Sequence, residues 1–165
     1  MNSTKAVFFD RDGVLNHKPD PHDYVKSMEE FEWNNGAIDL ICEVKQKGFI
    51  VIVVSNQRGV ALGKYSKDFV ETLHKKMSQD VLDQGATIDS FYVCYHDFEH
   101  NCLCRKPKPG LLIQAQKDFN IDFSRSYLIG DSESDIIAAN EAGCKLGILI
   151  DSDVIDIDTI CEQIV

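Results

Sequence analysis

Short apolar runs that end on polar residues alternate with amphipathic stretches along this chain, and that alternation constrains the fold more than any other feature. Ala6-Val-Phe-Phe9 stops at Asp10-Arg-Asp-Gly13, as a strand buried on both faces of a parallel sheet would. Residues 49–54 form a second such run, stopped by Ser55-Asn-Gln57, and residues 88–95, 126–130 and 145–150 read as three more. A helix is expected over residues 36–47, with Gly48 as its stop. Ser66 can cap a second helix, whose apolar positions Phe69, Val70, Leu73, Met77, Val81 and Leu82 keep helical spacing. Residues 109–119 and 133–142 carry two further helices, and the tail ends in a last short one. Strands alternating with helices imply βαβ units, hence an α/β fold with a doubly wound, mainly parallel sheet. Ligands of such sheets bind beyond the carboxyl ends of the strands. The polar clusters at Asp10, Ser55, Lys106 and Asp131 all follow predicted strands and should converge there.

With 165 residues, 44% of them hydrophobic, the chain is expected to build one domain over residues 1–165. No run approaches the roughly 20 apolar residues needed to cross a bilayer. The opening Met-Asn-Ser-Thr-Lys lacks the features of a secretory signal, so a cytoplasmic protein is expected. A net charge of −10, with acids gathered in the tail (Asp151, Asp153, Asp156, Asp158, Glu162), disfavours nucleic acid and anionic membranes as partners. A monomer acting on a small molecule is the expectation. Any phosphate site must then carry its own local positive charge.

The clusters suit phosphoryl transfer. Asp10 and Asp12 sit two apart at a strand end, where one carboxylate can attack phosphorus while the other protonates the leaving oxygen and then activates water. Paired carboxylates repel each other and an incoming phosphate, so a cation is needed. Asp131 and Asp135 add acidic oxygen from another strand end, a donor set that suits Mg²⁺. Asp10, the backbone carbonyl of Asp12 and Asp131 are the expected ligands, with Asp135 positioning water or Lys106. Ser55 and the backbone N–H of Asn56 are candidate donors to the phosphate, and Lys106 can neutralise both it and Asp10.

Cys94-Tyr-His96 and Cys102-Leu-Cys104 bring three thiols and one imidazole within eleven residues, the count for a closed, structural Zn²⁺ site. The alternative is a buried cysteine or two with a surface histidine. His100 lies inside the loop and is not taken as a ligand. Cys42, Cys144 and Cys161 read as small core residues. Because the loop runs directly into Arg105-Lys106, zinc would fix the approach of that lysine.

Four stretches in this order resemble the motifs of the haloacid dehalogenase-like phosphohydrolases: Phe-Phe-Asp10-Arg-Asp12-Gly, Val-Val-Ser55-Asn-Gln, Arg105-Lys106-Pro-Lys-Pro-Gly and Ile-Gly-Asp131-Ser-Glu-Ser-Asp135. The resemblance covers nearly the whole chain. It implies a Rossmann-like core with a minimal cap, Mg²⁺ dependence, Asp10 as nucleophile and Asp12 as general acid/base. The zinc loop followed by Arg-Lys-Pro resembles two groups within that family, the heptose bisphosphate 7-phosphatases and the histidinol-phosphatases. Ser55-Asn-Gln-Arg-Gly-Val-Ala-Leu-Gly63-Lys-Tyr65 and Cys-Arg-Lys-Pro-Lys-Pro-Gly110 are more similar to the heptose group. That implies a small phosphorylated sugar as substrate, D-glycero-D-manno-heptose 1,7-bisphosphate, feeding a cell-surface glycan such as lipopolysaccharide. Arg105 is then the expected partner of the distal phosphate, ahead of Lys108 and Arg58. In one departure, Ser132 stands where many of those enzymes carry lysine. A zinc-stabilised module without catalysis is the remaining alternative, but it would have no use for this cluster of like charges.

Overall fold

Ala6, Val7, Phe8 and Phe9 are all fully buried, as the residues of a central strand with cover on both faces must be. In the computed structural model, which describes residues 3–151 and 154–165, they form β1 (Ala6–Phe9) at the middle of a parallel sheet. Its partners are β2 (Ile50–Asn56), β3 (Ser90–Cys94), β4 (Tyr127–Gly130) and β5 (Leu146–Leu149), in the order β3-β2-β1-β4-β5. Phe8 is in register with Ile52 on one side and Leu128 on the other. The chain adds β2 and β3 to one side of β1, then crosses over to lay down β4 and β5 on the other. Winding therefore reverses between β1 and β4, and the strand ends there bound a crevice.

Period-two alternation along the strands divides the core into two layers. Val7, Phe9, Val51, Val53 and Ile129 face α1 (Ala37–Gln46), α2 (Lys67–Asp83) and α5 (Ile157–Gln163). Phe8, Ile52, Val54 and Leu128 face α3 (Gly110–Phe119) and α4 (Glu133–Ala142). Ser66 caps α2 by accepting from the Phe69 N–H at 3.0 Å, and Gly48 and Gly143 follow α1 and α4 at positive φ.

Three expectations need correction. β2 does not stop before Ser55 but runs through Asn56, because Ser55 and Asn56 pair with Val93 and Cys94 and so satisfy their backbones. β3 is shorter than expected: Asp89 turns its carboxylate back to the Val51 N–H at 2.7 Å and to Lys45 Nζ at 2.8 Å. Leu82 lies 55% exposed at the end of α2, while His74 is buried on that helix. The acidic tail, to which the sequence assigns no role, closes the core. Ile160 and Ile164 are buried, and Lys47 Nζ donates to the carbonyls of Cys161 and Ile164 at 2.8 and 3.0 Å. Of the tail acids, Asp153 lies outside the described residues, as do Met1 and Asn2. Among the described residues, no helix is long and apolar enough to cross a membrane.

Candidate active site and metal centres

Asp10 follows β1, and its backbone N–H donates to the Ile129 carbonyl of β4 at 2.9 Å, which sets it at the reversal point of the sheet. The Arg11 N–H and Lys106 Nζ both donate to its Oδ1, each at 2.9 Å, so one carboxylate oxygen is held and Oδ2 is left open. Burial raises the Asp10 pKa to about 8; Lys106 opposes that rise, and Asp135 and Asp131 add to it. A carboxylate in this environment needs more positive charge than Lys106 supplies.

Lys106 is almost fully buried, and its three ammonium protons are all taken: Asp10 Oδ1, Asp135 Oδ1 at 2.5 Å and the Val54 carbonyl at 2.9 Å. Burial disfavours its charge, but Asp10 and Asp135 hold its pKa above the usual lysine range. Asp135 also accepts from the Ser132 hydroxyl at 2.9 Å, so it bridges the lysine and the start of α4. The Asn56 side chain grips the Lys106 backbone rather than facing the site, so any contact with substrate falls to its backbone.

Asp12 faces another way. Its carboxylate accepts from Arg11 at 3.0 Å, Asn16 Nδ2 at 2.9 Å and Gln57 Nε2 at 2.9 Å. Burial would raise its pKa, but the Arg11 guanidinium and these donors outweigh burial and hold it below the ordinary value. Arg11 is fully buried, with Nη1 against His74 Nε2 at 3.2 Å. His74, stacked on Phe91 at 4.3 Å, is kept neutral by burial and by Arg11, with its pKa lowered to about 3. Gln57 also donates to Ser55 Oγ at 2.8 Å and accepts from the Tyr65 hydroxyl at 2.5 Å.

Asp10, Asp131 and Asp135 offer carboxylate oxygens within 4.8 Å of one another, a hard-oxygen donor set that fits a divalent cation. Gly13 is required beside them. It sits at φ +90°, and a Cβ there would lie 2.2 Å from Asp131 Oδ2. Lys18, from the loop after β1, pairs with that same Asp131 oxygen.

On the other flank, Cys94, His96, Cys102 and Cys104 present donor atoms that also lie within 4.8 Å of one another. Cys94 Sγ is 3.6 Å from both His96 Nδ1 and Cys102 Sγ, and His96 Nδ1 is 3.2 Å from Cys104 Sγ. Tetrahedral Zn²⁺, with Zn–S about 2.3 Å and Zn–N about 2.0 Å, implies donor separations of about 3.5–3.8 Å, so the group fits. Burial would raise the Cys102 pKa, yet N–H groups and the Cys94 and Cys104 thiols bring it down to about 6; Cys104 is pushed up to about 12 by burial and by the Cys94 and Cys102 thiols. Three such thiols cannot all ionise together without a cation. His100 turns away and accepts from the Asp97 N–H at 2.9 Å.

The basic residues nearby divide clearly. Lys108 Nζ is spent on Asn101 Oδ1 and the Cys102 carbonyl, at 3.1 and 2.8 Å. Arg58 pairs with Asp97 at 2.5 Å and stacks on Phe98. Arg105 lies over the same ring at 4.5 Å, and its Nη1 is buried with no hydrogen-bond partner among the described residues. It lines a cleft of about 410 Å³ with Asn56, Lys106 and Ser134.

Sequence reasoning brought forward Asp10, Asp12, Ser55, Lys106, Asp131 and the four zinc-type donors, and they gather at the strand ends. It passed over Arg11, Lys18, Gln57 and His74. Arg11 and Gln57 stood inside the quoted motifs, and a base between two acids was the available signal. His74 and Lys18 had no local signal.

A parallel sheet with carboxylates and a buried lysine at its reversal point defines a phosphoryl-transfer hydrolase. The chain belongs to the haloacid dehalogenase-like phosphatases. A family model described as HAD-hyrolase-like matches residues 103–160. The chain is 38% identical over 152 residues to the D-glycero-beta-D-manno-heptose-1,7-bisphosphate 7-phosphatase of Pasteurella multocida, covering 88% of this chain and 81% of that one. Its counterpart from Helicobacter pylori is 39% identical, over 91% of this chain and 86% of that one. The D,D-heptose 1,7-bisphosphate phosphatase of B. bronchiseptica, solved with magnesium and phosphate, superposes with a TM-score of 0.85 at 26% identity, covering 97% and 99% of the two chains.

Proposed function

We propose that this phosphatase removes the 7-phosphate of D-glycero-D-manno-heptose 1,7-bisphosphate through an aspartyl-phosphate on Asp10. Asp10 Oδ2 attacks phosphorus while the bond to the leaving oxygen breaks, and Asp12 gives that oxygen its proton. Asp12, ionised in the free site, takes that proton from solvent as the phosphate dianion arrives beside it and raises its affinity for a proton. In the second half Asp12 takes a proton from water, which attacks phosphorus and returns Asp10 as a carboxylate. The Ser55 hydroxyl donates to the phosphoryl oxygens, while Lys106, held in place by Asn56 and with its protons on Asp10, Asp135 and Val54, offsets charge at Asp10 without donating to the phosphate.

Asp10, the Asp12 carbonyl and Asp131 would hold Mg²⁺, which would supply the positive charge that lets Asp10 ionise and phosphate approach. Cys94, His96, Cys102 and Cys104 would hold a structural Zn²⁺, which would steady Arg105 and Lys106 just beyond it. Residues 1–165 act as a single domain, in the cytoplasm and as a monomer, without nucleic-acid or membrane partners.

The observation that carries the bisphosphate reading is Arg105, whose buried Nη1, beside Lys106, lacks a partner among the described residues. A buried guanidinium nitrogen without a partner is costly, and a second phosphate on the substrate would satisfy it. The test is phosphate release with Mg²⁺ from the α and β anomers of the heptose bisphosphate and from histidinol phosphate, with Asp10→Asn as the blank. Preference for either heptose anomer, lost in Arg105→Ala mainly through KM, is the expected result. Preference for histidinol phosphate would replace the substrate and keep the chemistry.

A further inference from the structure

Charge around the reacting phosphate does not balance on the residues already described. Four carboxylates (Asp10, Asp12, Asp131 and Asp135) share the strand ends with two buried cations, Arg11 and Lys106. A divalent cation would balance the carboxylates and leave the two charges of a phosphate monoester unmatched. Neither buried cation has capacity in reserve. Lys106 donates all three protons to protein oxygens, and Arg11 is locked between Asp12 and His74. Ser132, directly after Asp131, brings no charge and is spent capping α4 with Asp135.

Lys18 alters that balance. It comes from the loop after β1, whose base is anchored by the fully buried Val14 and Leu15. Its side chain is 56% exposed, yet its ammonium reaches Asp131 Oδ2 and feels Asp10 and Asp135 as well. A divalent cation on Asp131 and the lysine ammonium cannot use the same oxygen at once. With a cation there, the ammonium is free to turn outward by rotation of its own side chain, toward the space a phosphoryl group must enter.

We propose that Lys18 is a phosphate-binding residue of this enzyme, exchanging the Asp131 carboxylate for the equatorial oxygens of the reacting phosphate when a divalent cation binds. Its long, flexible, half-exposed stem suits a point charge that changes partner, where Arg11 and Lys106 are immobile. The proposal does not depend on which sugar carries the phosphate.

Inorganic phosphate, titrated calorimetrically into the full chain at saturating Mg²⁺, is the direct probe. Lys18→Gln should weaken phosphate binding about tenfold, the worth of one charge-assisted hydrogen bond, and Lys18→Arg should recover most of the loss. KM for an aryl phosphate should rise in step, with a smaller change in kcat. Mg²⁺ titrated without phosphate should bind Lys18→Gln as tightly as the wild type or more tightly, since a competitor for Asp131 is gone. Because Lys18 is exposed, the thermal midpoint should stay unchanged. Unchanged phosphate affinity in Lys18→Gln would overturn the proposal. Weaker Mg²⁺ binding would overturn it too, by making Lys18 a support for the metal carboxylate. An aryl phosphate also separates this outcome from failure of the heptose reading.

Discussion

Asn56 and Lys106 hold each other by two reciprocal hydrogen bonds: Asn56 Nδ2 donates to the Lys106 carbonyl at 3.2 Å, and the Lys106 N–H donates to Asn56 Oδ1 at 3.1 Å. The end of β2 is thereby clamped to the segment that delivers the buried ammonium. Asn56→Ala breaks both bonds and is expected to cost about 1–3 kcal/mol of stability. It should also lower kcat at least tenfold, because a misplaced charge forfeits much of its electrostatic effect. Denaturant unfolding and steady-state kinetics on an aryl phosphate check this; full activity in a destabilised variant would break the link between clamp and chemistry.

Asp10 is costly to the metal-free fold. Its pKa rises to about 8, with burial as the main cause, so between about pH 4 and 8 the folded chain binds a proton that the unfolded chain has lost. Its contribution to stability is therefore full in acid and is lost as pH rises through that window. Asp10→Asn, measured in chelator at about pH 8.5, should be more stable than wild type by about 1–4 kcal/mol. The difference should vanish toward pH 4, and the variant should have no activity. Equal stability at both pH values would count against this reading.

His74 titrates in the opposite sense. Burial and Arg11 lower its pKa to about 3, so below about pH 6.5 the unfolded chain takes up a proton that the folded chain refuses. Stability is lost as pH falls through that range. His74→Gln keeps a side-chain acceptor for Arg11 and removes the titration, so its unfolding free energy should fall less steeply between about pH 6.5 and 4. A parallel slope in the two proteins would argue against His74 as the source.

Gly13 tests the metal carboxylates by sterics alone. A Cβ at this position meets Asp131 Oδ2 at 2.2 Å, and φ is +90°. Gly13→Ala should displace Asp131 and weaken Mg²⁺ binding at least tenfold, with a stability cost of about 1–3 kcal/mol from the backbone. Mg²⁺ titration of folded protein provides the check.

Zinc should behave as a structural metal. Elemental analysis should find one Zn²⁺ per chain, and Cys104→Ser should lose it, lower the thermal midpoint and reduce activity. Gly110 backs the loop so closely that a Cβ there would lie 2.2 Å from the Leu103 carbonyl, so loosening the loop reaches Arg105 and Lys106 through the backbone. Excess Mg²⁺ should not restore activity, because a hard cation gains little from thiolates.

Most of the fold was legible because its signals are local. A buried strand such as Ala6–Phe9 is a continuous apolar run, and an amphipathic helix such as Lys67–Asp83 repeats its apolar positions within a turn. The errors fell where long-range pairing overrode composition: polar Ser55 and Asn56 stay in β2 because β3 supplies their partners. Leu82 is exposed at the end of α2 against expectation, and His74 is buried on that helix, where Arg11, 63 residues away, offers it a donor.

The candidate site divides in the same way. Asp10, Asp12, Asp131 and the four zinc-type donors were legible because each set stands close together in sequence or directly after a strand, and parallel strands bring their ends together. The chain's own order of residues determined that much: which acids meet, and that they need cations. Tertiary structure alone decided how each base is used. It locks Lys106 against Asp10 and Asp135, Arg11 against Asp12 and His74, and Lys108 against Cys102, while Arg105 keeps an unpaired donor and Lys18 reaches Asp131 across 113 residues. A periodic pattern is written within a few residues, whereas a hydrogen bond between distant side chains exists only once packing has set both partners in place.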